Sequence, residues 1–143
     1  MGAPRTDNYV QAQLAEDRLW ASFIPDGHHM PLATLKNFIR AKTPARSILV
    51  TDAVAAAEMG PGRYILGGGM VEVTPAGRCS RPGEPNLAGS ALTLDRAVIN
   101  TALHCDVTFE QAWEMASTRP AGLVALAKPR PVTVHVKGDR FSA

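Results

Sequence analysis

An apolar run that ends in a carboxylate constrains the fold of this chain more than any other feature. Residues 47–53 read SILVTDA, with Pro44 shortly before them and an alanine-rich loop after them. Consecutive branched aliphatic side chains are typical of a parallel strand buried on both faces. The run therefore predicts such a strand, with Asp52 at its carboxyl end. Ligands and catalytic groups gather at that end of α/β sheets, so Asp52 is either a functional acid or a cap for the following turn or helix.

A second strand-like run, residues 18–24, also ends in polar chemistry. Four residues form the loop after it: Asp26, Gly27, His28 and His29. Between the two runs, residues 31–41 place apolar side chains on one helical face. Strand, helix and strand in this order predict a βαβ unit. The unit brings the loop and Asp52 to the same rim of the sheet.

The two adjacent histidines allow more than one interpretation. Neighbouring residues in an extended segment point to opposite faces, so only one of His28 and His29 can aim easily at a pocket. An imidazole can donate to a sugar hydroxyl or a phosphate oxygen near neutral pH. A surface or core role is the alternative. A metal site would need a third ligand, and none is spaced nearby in the sequence.

Three motifs in register resemble a known family. The DGHH loop, the LVTDA end of the predicted strand and the segment LAGSALT at residues 87–93 are similar to the carboxyl-terminal part of N-acetylglucosamine-6-phosphate deacetylases. That family belongs to the amidohydrolase superfamily, whose members are metal-dependent hydrolases on a (β/α)8 barrel with a small β-domain. The similarity extends over roughly residues 1–127.

The resemblance implies roles for eight residues. Asp52 would be the catalytic acid and base, and His29 would contact the amino-sugar phosphate. Asp26, Gly27 and His28 would form the loop around His29. Leu87, Ala88 and Gly89 would bind substrate through their backbone, although Gly89 and Ser90 could also begin a helix.

The resemblance also implies a divalent metal cofactor, commonly zinc, that activates water for amide hydrolysis. The family's metal ligands, a glutamate and two histidines, belong to barrel strands that precede the part matched here. No metal ligand is therefore assigned in this chain, and we expect it to be inactive alone. The alternative function is a non-catalytic α/β module that binds a small sugar phosphate or a protein partner.

These patterns predict an α/β fold: the carboxyl-terminal portion of a (β/α)8 metal-dependent amidohydrolase barrel with a short β-hairpin insert. Residues 1–128 would form the partial barrel domain, and residues 129–143 a terminal β-strand tail. The hairpin is expected from two β-prone runs joined by Gly67, Gly68 and Gly69. Two helices follow it, the second with a capping box at Thr108 and an expected end at Pro120.

Length and composition set outer bounds. A chain of 143 residues is too short for a complete barrel, which needs about 250. The net charge of +2 and the lack of a basic run argue against nucleic acid, and no apolar run is long enough for a membrane span. Cys79 and Cys105 form no CxxC pattern, which fits a reduced, cytoplasmic setting. Two parallel strands with open edges predict a homo-oligomer or a missing amino-terminal half.

Overall fold

A computed structural model describes residues 8–126, 135–137 and 140–142, and it contains both helices and strands. The helices are α1 (Tyr9–Ala15), α2 (Leu32–Lys42), α3 (Leu94–His104), α4 (Phe109–Ala116) and α5 (Thr118–Leu123). The strands are β1 (Ala21–Phe23), β2 (Ser47–Leu49), β3 (Gly62–Leu66), β4 (Gly69–Val73), β5 (Cys79–Ser80), β6 (His135–Lys137) and β7 (Arg140–Ser142).

Strand β1 precedes α2 in the chain and β2 follows it, and the two strands pair in parallel. This arrangement confirms the predicted βαβ unit. Phe23 lies opposite Leu49, and the Val50 amide extends the pairing by donating to the Phe23 carbonyl across 3.0 Å. Each strand is three residues long, shorter than its apolar run, and the described residues give each one neighbour in this sheet. Asp26 and Asp52 each follow the last paired residue of their strand by three positions.

Helix α2 covers the parallel pair with the predicted apolar face. Leu35 and Ile39 are fully buried, and Arg40 and Lys42 occupy its last turn. Pro31 is the residue before the helix, where its fixed φ suits the first turn. The buried Lys42 ammonium donates to the carbonyls of Gln13 and Glu16. These bonds join the end of α2 to the end of α1.

Helices α3 and α4 pack against β2 and complete the core that α2 begins. A capping box between Thr108 and Gln111 begins α4, as predicted. The expected end at Pro120 is wrong, because α4 ends at Ala116 and Pro120 lies in the first turn of α5, where a missing amide donor costs little. The buried residues of this core are Phe23, Leu35, Ile39, Leu49, Val98, Cys105, Ala112 and Met115.

The predicted hairpin forms between β3 and β4, and β5 adds a third antiparallel strand. Gly67 and Gly68 adopt φ of 56° and 82° in the two-residue turn, a conformation that favours glycine. A second small core, built around Ala56, Val71, Val73 and Cys79, packs beneath the hairpin.

The tail contributes an antiparallel pair, β6 with β7. Of the predicted terminal tail, residues 129–134, 138, 139 and 143 lie outside the described residues, as does the proposed domain division after residue 128. Within the described ranges, no helix is both long and apolar enough to cross a membrane.

Candidate functional site

The loop after β1 is organised by the side chain of Asp26. Its Oδ1 accepts hydrogen bonds from the backbone amides of His28 and His29, at 2.8 and 2.9 Å. Gly27 makes this tight turn possible, since it adopts a φ of 75° in the left-handed region. The carboxylate of Asp26 is therefore part of the frame of the loop, and only 6% of its side chain is exposed.

The ring of His29 lies between two carboxylates. Its Nδ1 is 2.8 Å from Asp26 Oδ2, and its Nε2 is 3.4 Å from Asp52 Oδ2. The Asp52 side chain is 54% exposed, whereas His29 is 22% exposed. Asp26, His29 and Asp52 thus form a row that leads from the protein interior to an accessible acid.

His28 points away from this row. Its Nε2 lies 2.9 Å from the carbonyl oxygen of Ala76, in the turn after β4. The sequence predicted that only one of the two histidines faces the site, and the geometry places His29 there. The reason differs from the predicted one, because the loop is a turn around Asp26 rather than an extended segment.

The segment that carries Asp52 is held from both sides by Ser90. The Ser90 amide donates to the Asp52 carbonyl at 2.8 Å, and the Ser90 carbonyl accepts from the Val54 amide at 2.9 Å. The buried Ser90 hydroxyl donates to the Thr51 carbonyl at 2.6 Å. These bonds support Asp52 at a φ of 52°, which is uncommon for a residue with a side chain.

The alternative roles considered from the sequence have clear outcomes. The Ala53 amide donates to the Thr51 hydroxyl, and the contact described for the Asp52 carboxylate is with the His29 ring rather than with the turn that follows. Gly89 and Ser90 do not begin a helix, because α3 starts at Leu94 with Thr93 before it. Sequence reasoning missed Ser90 as a site residue, since its hydroxyl bonds to the Thr51 carbonyl, 39 positions away in the chain.

Gly89 brings a third segment against Asp52. A Cβ at this position would lie 2.6 Å from Val54 Cγ1 and 3.0 Å from the Asp52 carbonyl oxygen. The backbone of Gly89, with a φ of 91°, can therefore approach the acid only because it has no side chain. Leu87 and Ala88 precede it, but the Ala88 amide already donates to the Cys79 carbonyl at 3.1 Å.

The described residues do not fit a metal site by themselves. In the ranges that the structure covers, no group of three or more His, Cys, Asp or Glu side chains could hold a metal ion. Asp26, His29 and Asp52 lie together, but both ring nitrogens of His29 face the two carboxylates.

Comparison with known proteins gives concordant relatives, although no family model matches the chain. The N-acetylgalactosamine-6-phosphate deacetylase of Escherichia coli O157:H7 is 38% identical over 122 residues, which are 85% of this chain and 32% of that protein. The N-acetylglucosamine-6-phosphate deacetylase of Vibrio furnissii is 38% identical, with 82% and 29% covered. A relative from E. coli K12, provisionally named an N-acetylgalactosamine-6-phosphate deacetylase, is 38% identical, with 85% and 71% covered. Except for this last relative, the chain spans about a third of the length of these proteins.

Solved structures agree with these relatives. The N-acetylglucosamine-6-phosphate deacetylase of Thermotoga maritima superimposes with a TM-score of 0.75 at 25% identity, over 82% of this chain and 32% of that one. A mutant of the Mycobacterium smegmatis enzyme, solved in complex with N-acetyl-D-glucosamine-6-phosphate, gives a TM-score of 0.70 at 28% identity, with 80% and 31% covered. The α/β arrangement described here is thus shared with part of these enzymes.

Proposed function

The chain belongs to the N-acetylglucosamine-6-phosphate deacetylase family, and from this membership we propose that it supplies the catalytic acid and the substrate-binding rim for hydrolysis of the N-acetyl amide of an amino-sugar phosphate. The observation that carries the proposal is the contact between His29 Nε2 and Asp52 Oδ2, at 3.4 Å. It joins two of the three motifs that resemble the family. Gly89, from the third motif, packs against the same acid.

Asp52 is the residue that moves the proton in this proposal. Hydrolysis adds water to the amide carbonyl, breaks the bond between carbon and nitrogen, and releases acetate and an amine. Asp52 accepts the proton that the attacking water loses and delivers it to the departing nitrogen. Its exposed position at the carboxyl end of β2 lets a substrate approach the carboxylate from solvent.

The remaining motif residues would bind and orient the sugar phosphate. The His29 ring can hydrogen bond to a sugar oxygen beside Asp52. The backbone of Gly89 lies against the Asp52 segment, and Leu87, two residues earlier, would contact the sugar phosphate through its backbone. Ala88 is the least available backbone donor of this segment, since its amide is already bonded to Cys79. His28 and Gly27 would act by shaping the loop, because the His28 ring is directed to Ala76.

The family depends on a divalent metal, for which zinc is our expectation. Because the described residues do not form a metal site, its ligands would have to come from other parts of the enzyme. We therefore propose that the chain alone does not hydrolyse the amide. The same proposal includes a barrel with a hairpin insert and a cytoplasmic location. It also includes a partner on the open edges of β1 and β2, which is either a completing amino-terminal half or a second copy.

Relatives named for the gluco and the galacto sugar match the chain, so the substrate class is an N-acetylated amino-sugar 6-phosphate. Adding N-acetylglucosamine 6-phosphate or its galacto epimer to isotope-labelled protein tests this. We expect amide NMR shifts at His29, Asp52 and Gly89, with little change at Cys105 in the distant core. Glucose 6-phosphate, which lacks the acetamido group, is the matched control and should perturb Asp52 less. Shifts confined to other surfaces would contradict the proposed site.

A further inference from the structure

We propose that Asp26 is a positioning residue, which fixes the His29 ring with its proton on Nδ1 and so makes Nε2 of the neutral ring an acceptor that faces Asp52. The inference rests on the proposed function, because it concerns the same site. It differs from the role expected from the sequence, in which Asp26 belongs to the substrate-binding loop. Three observations support it.

The first is that Asp26 is already committed within the protein. Its Oδ1 accepts two backbone amides and its Oδ2 faces the His29 ring, while 6% of the side chain is exposed. Burial raises the pKa of the Asp26 carboxyl, but the bonds from the His29 amide, the His29 ring and the His28 amide outweigh it, and the pKa lies below 3.8. Asp26 is therefore an ionised acceptor rather than a group that meets substrate.

The second observation concerns the proton on the ring. An ionised carboxylate can only accept hydrogen bonds, so the 2.8 Å contact with Asp26 requires the proton on Nδ1. In the neutral ring, Nε2 is then an acceptor. A buried aspartate sets the histidine tautomer in the same way in the catalytic triad of serine proteases.

The third observation is the position of Asp52 relative to that acceptor. Nε2 and Asp52 Oδ2 are 3.4 Å apart, so the second ring nitrogen faces the proposed catalytic acid. With its own proton on the side of Asp26, the neutral ring presents an acceptor rather than a second N–H to the Asp52 carboxylate and to a substrate hydroxyl beside it.

Asp26 also borders a cavity that carries other charged or titratable groups. His28 and Arg96 line a cavity of about 200 Å³ together with Asp26 and Asn100. His28 is bonded to the Ala76 carbonyl and Asn100 to the Pro25 carbonyl. Within the row itself, the described groups that face the His29 ring nitrogens are Asp26 and Asp52.

The test is a long-range proton–nitrogen NMR spectrum of the histidine rings, recorded at a pH that deprotonates the His29 ring. His29→Gln assigns its signals among the four histidines of the chain. We expect the proton on Nδ1 in the wild type. In Asp26→Asn it should move to Nε2, because the new amide can still accept the two backbone bonds through oxygen while its nitrogen donates to the ring.

Two controls separate positioning from folding. Asp106→Asn changes an aspartate that pairs with Lys36 and Arg40 on the surface, and it should leave the His29 tautomer unchanged. Asp52→Asn should also leave the proton on Nδ1. A wild-type ring with its proton on Nε2 would overturn the proposal whatever the variants do, as would an unchanged tautomer in a folded Asp26→Asn protein. Because this readout needs neither metal nor turnover, it can fail independently of the proposed deacetylase activity.

Discussion

The amide of Ser90 donates a hydrogen bond to the main-chain carbonyl of Asp52 across 2.8 Å, and the Ser90 hydroxyl donates to the preceding carbonyl, that of Thr51, across 2.6 Å. Two segments 38 positions apart are thereby joined at the proposed catalytic acid. The hydroxyl also accepts from the Leu92 amide at 2.9 Å, so it bonds both to the segment that carries Asp52 and to its own segment. Asp52 is held by the sequence that follows the hairpin as well as by its own strand.

Replacement of this hydroxyl should destabilise the protein. Ser90→Ala leaves the Thr51 carbonyl and the Leu92 amide without their buried partner, and we expect a loss of about 1–3 kcal/mol in the free energy of unfolding. Urea denaturation measures the change. Ser22→Ala, at an exposed position in β1, is the matched control and should stay within about 0.5 kcal/mol of the wild type. Equal effects of the two substitutions would contradict the assigned role of Ser90.

A side chain at position 89 should disturb Asp52 directly. Gly89→Ala combines a φ of 91° with contacts of 2.6 Å to Val54 Cγ1 and 3.0 Å to the Asp52 carbonyl oxygen. We expect a loss of more than about 1 kcal/mol from the backbone conformation alone, with a further loss from the contacts. Denaturant unfolding and the amide NMR shift of Asp52 would report both.

Gly83→Ala isolates the contribution of the backbone conformation. Gly83 has a φ of 78°, but a Cβ there would meet no atom within 4 Å. This variant should therefore show the backbone penalty without the contacts, and the Asp52 amide should not shift. If both glycine variants lost the same stability, close packing at Gly89 would not be the cause.

The buried thiol of Cys105 should make stability depend on alkaline pH. Burial raises its pKa from 9.0 to about 11, with Lys36 lowering and Asp106 raising it less. The folded protein thus holds the thiol proton more tightly than the unfolded chain. The stabilisation is fully present below pH 9.0 and is lost as the pH rises towards 11.

The difference should be on the order of 2–3 kcal/mol over that range. Unfolding curves of wild type and Cys105→Ala at several pH values would measure it, because the variant loses core packing at every pH but should lack this part of the alkaline decline. Parallel curves for the two proteins would contradict the expectation. Cys79→Ala provides the comparison with the other buried thiol.

Local sequence patterns account for much of this fold and for part of the site. Apolar runs with helical spacing between them predict β1, α2 and β2, and the Thr108 capping box predicts the start of α4, because these signals involve neighbours along the chain. The position of Pro120 misleads, since proline tolerates the first turn of a helix as well as ending one. Placing Asp26 and Asp52 at strand ends likewise follows from the pattern alone.

What the sequence could not give are the contacts that decide how the site works. The direction of the His28 ring towards Ala76 depends on a turn 48 positions away. The hydrogen bond from the Ser90 hydroxyl to the Thr51 carbonyl spans 39 positions. The bonding of Asp26 to the His29 ring and the loop amides depends on the burial of its side chain, which a four-residue motif does not encode. These features arise from packing between distant segments.

The most direct test of the central claim is deacetylation by a chimera. The part of the Vibrio furnissii relative that this chain matches would be replaced by the chain, and acetate release from N-acetylglucosamine 6-phosphate would be measured with added divalent metal. We predict activity in the chimera, none in the chain alone, and a loss of about 10²–10⁴-fold in Asp52→Asn, the range that general acid–base catalysis contributes. A chimera that keeps its activity in Asp52→Asn, or turnover by the chain alone, would contradict the account.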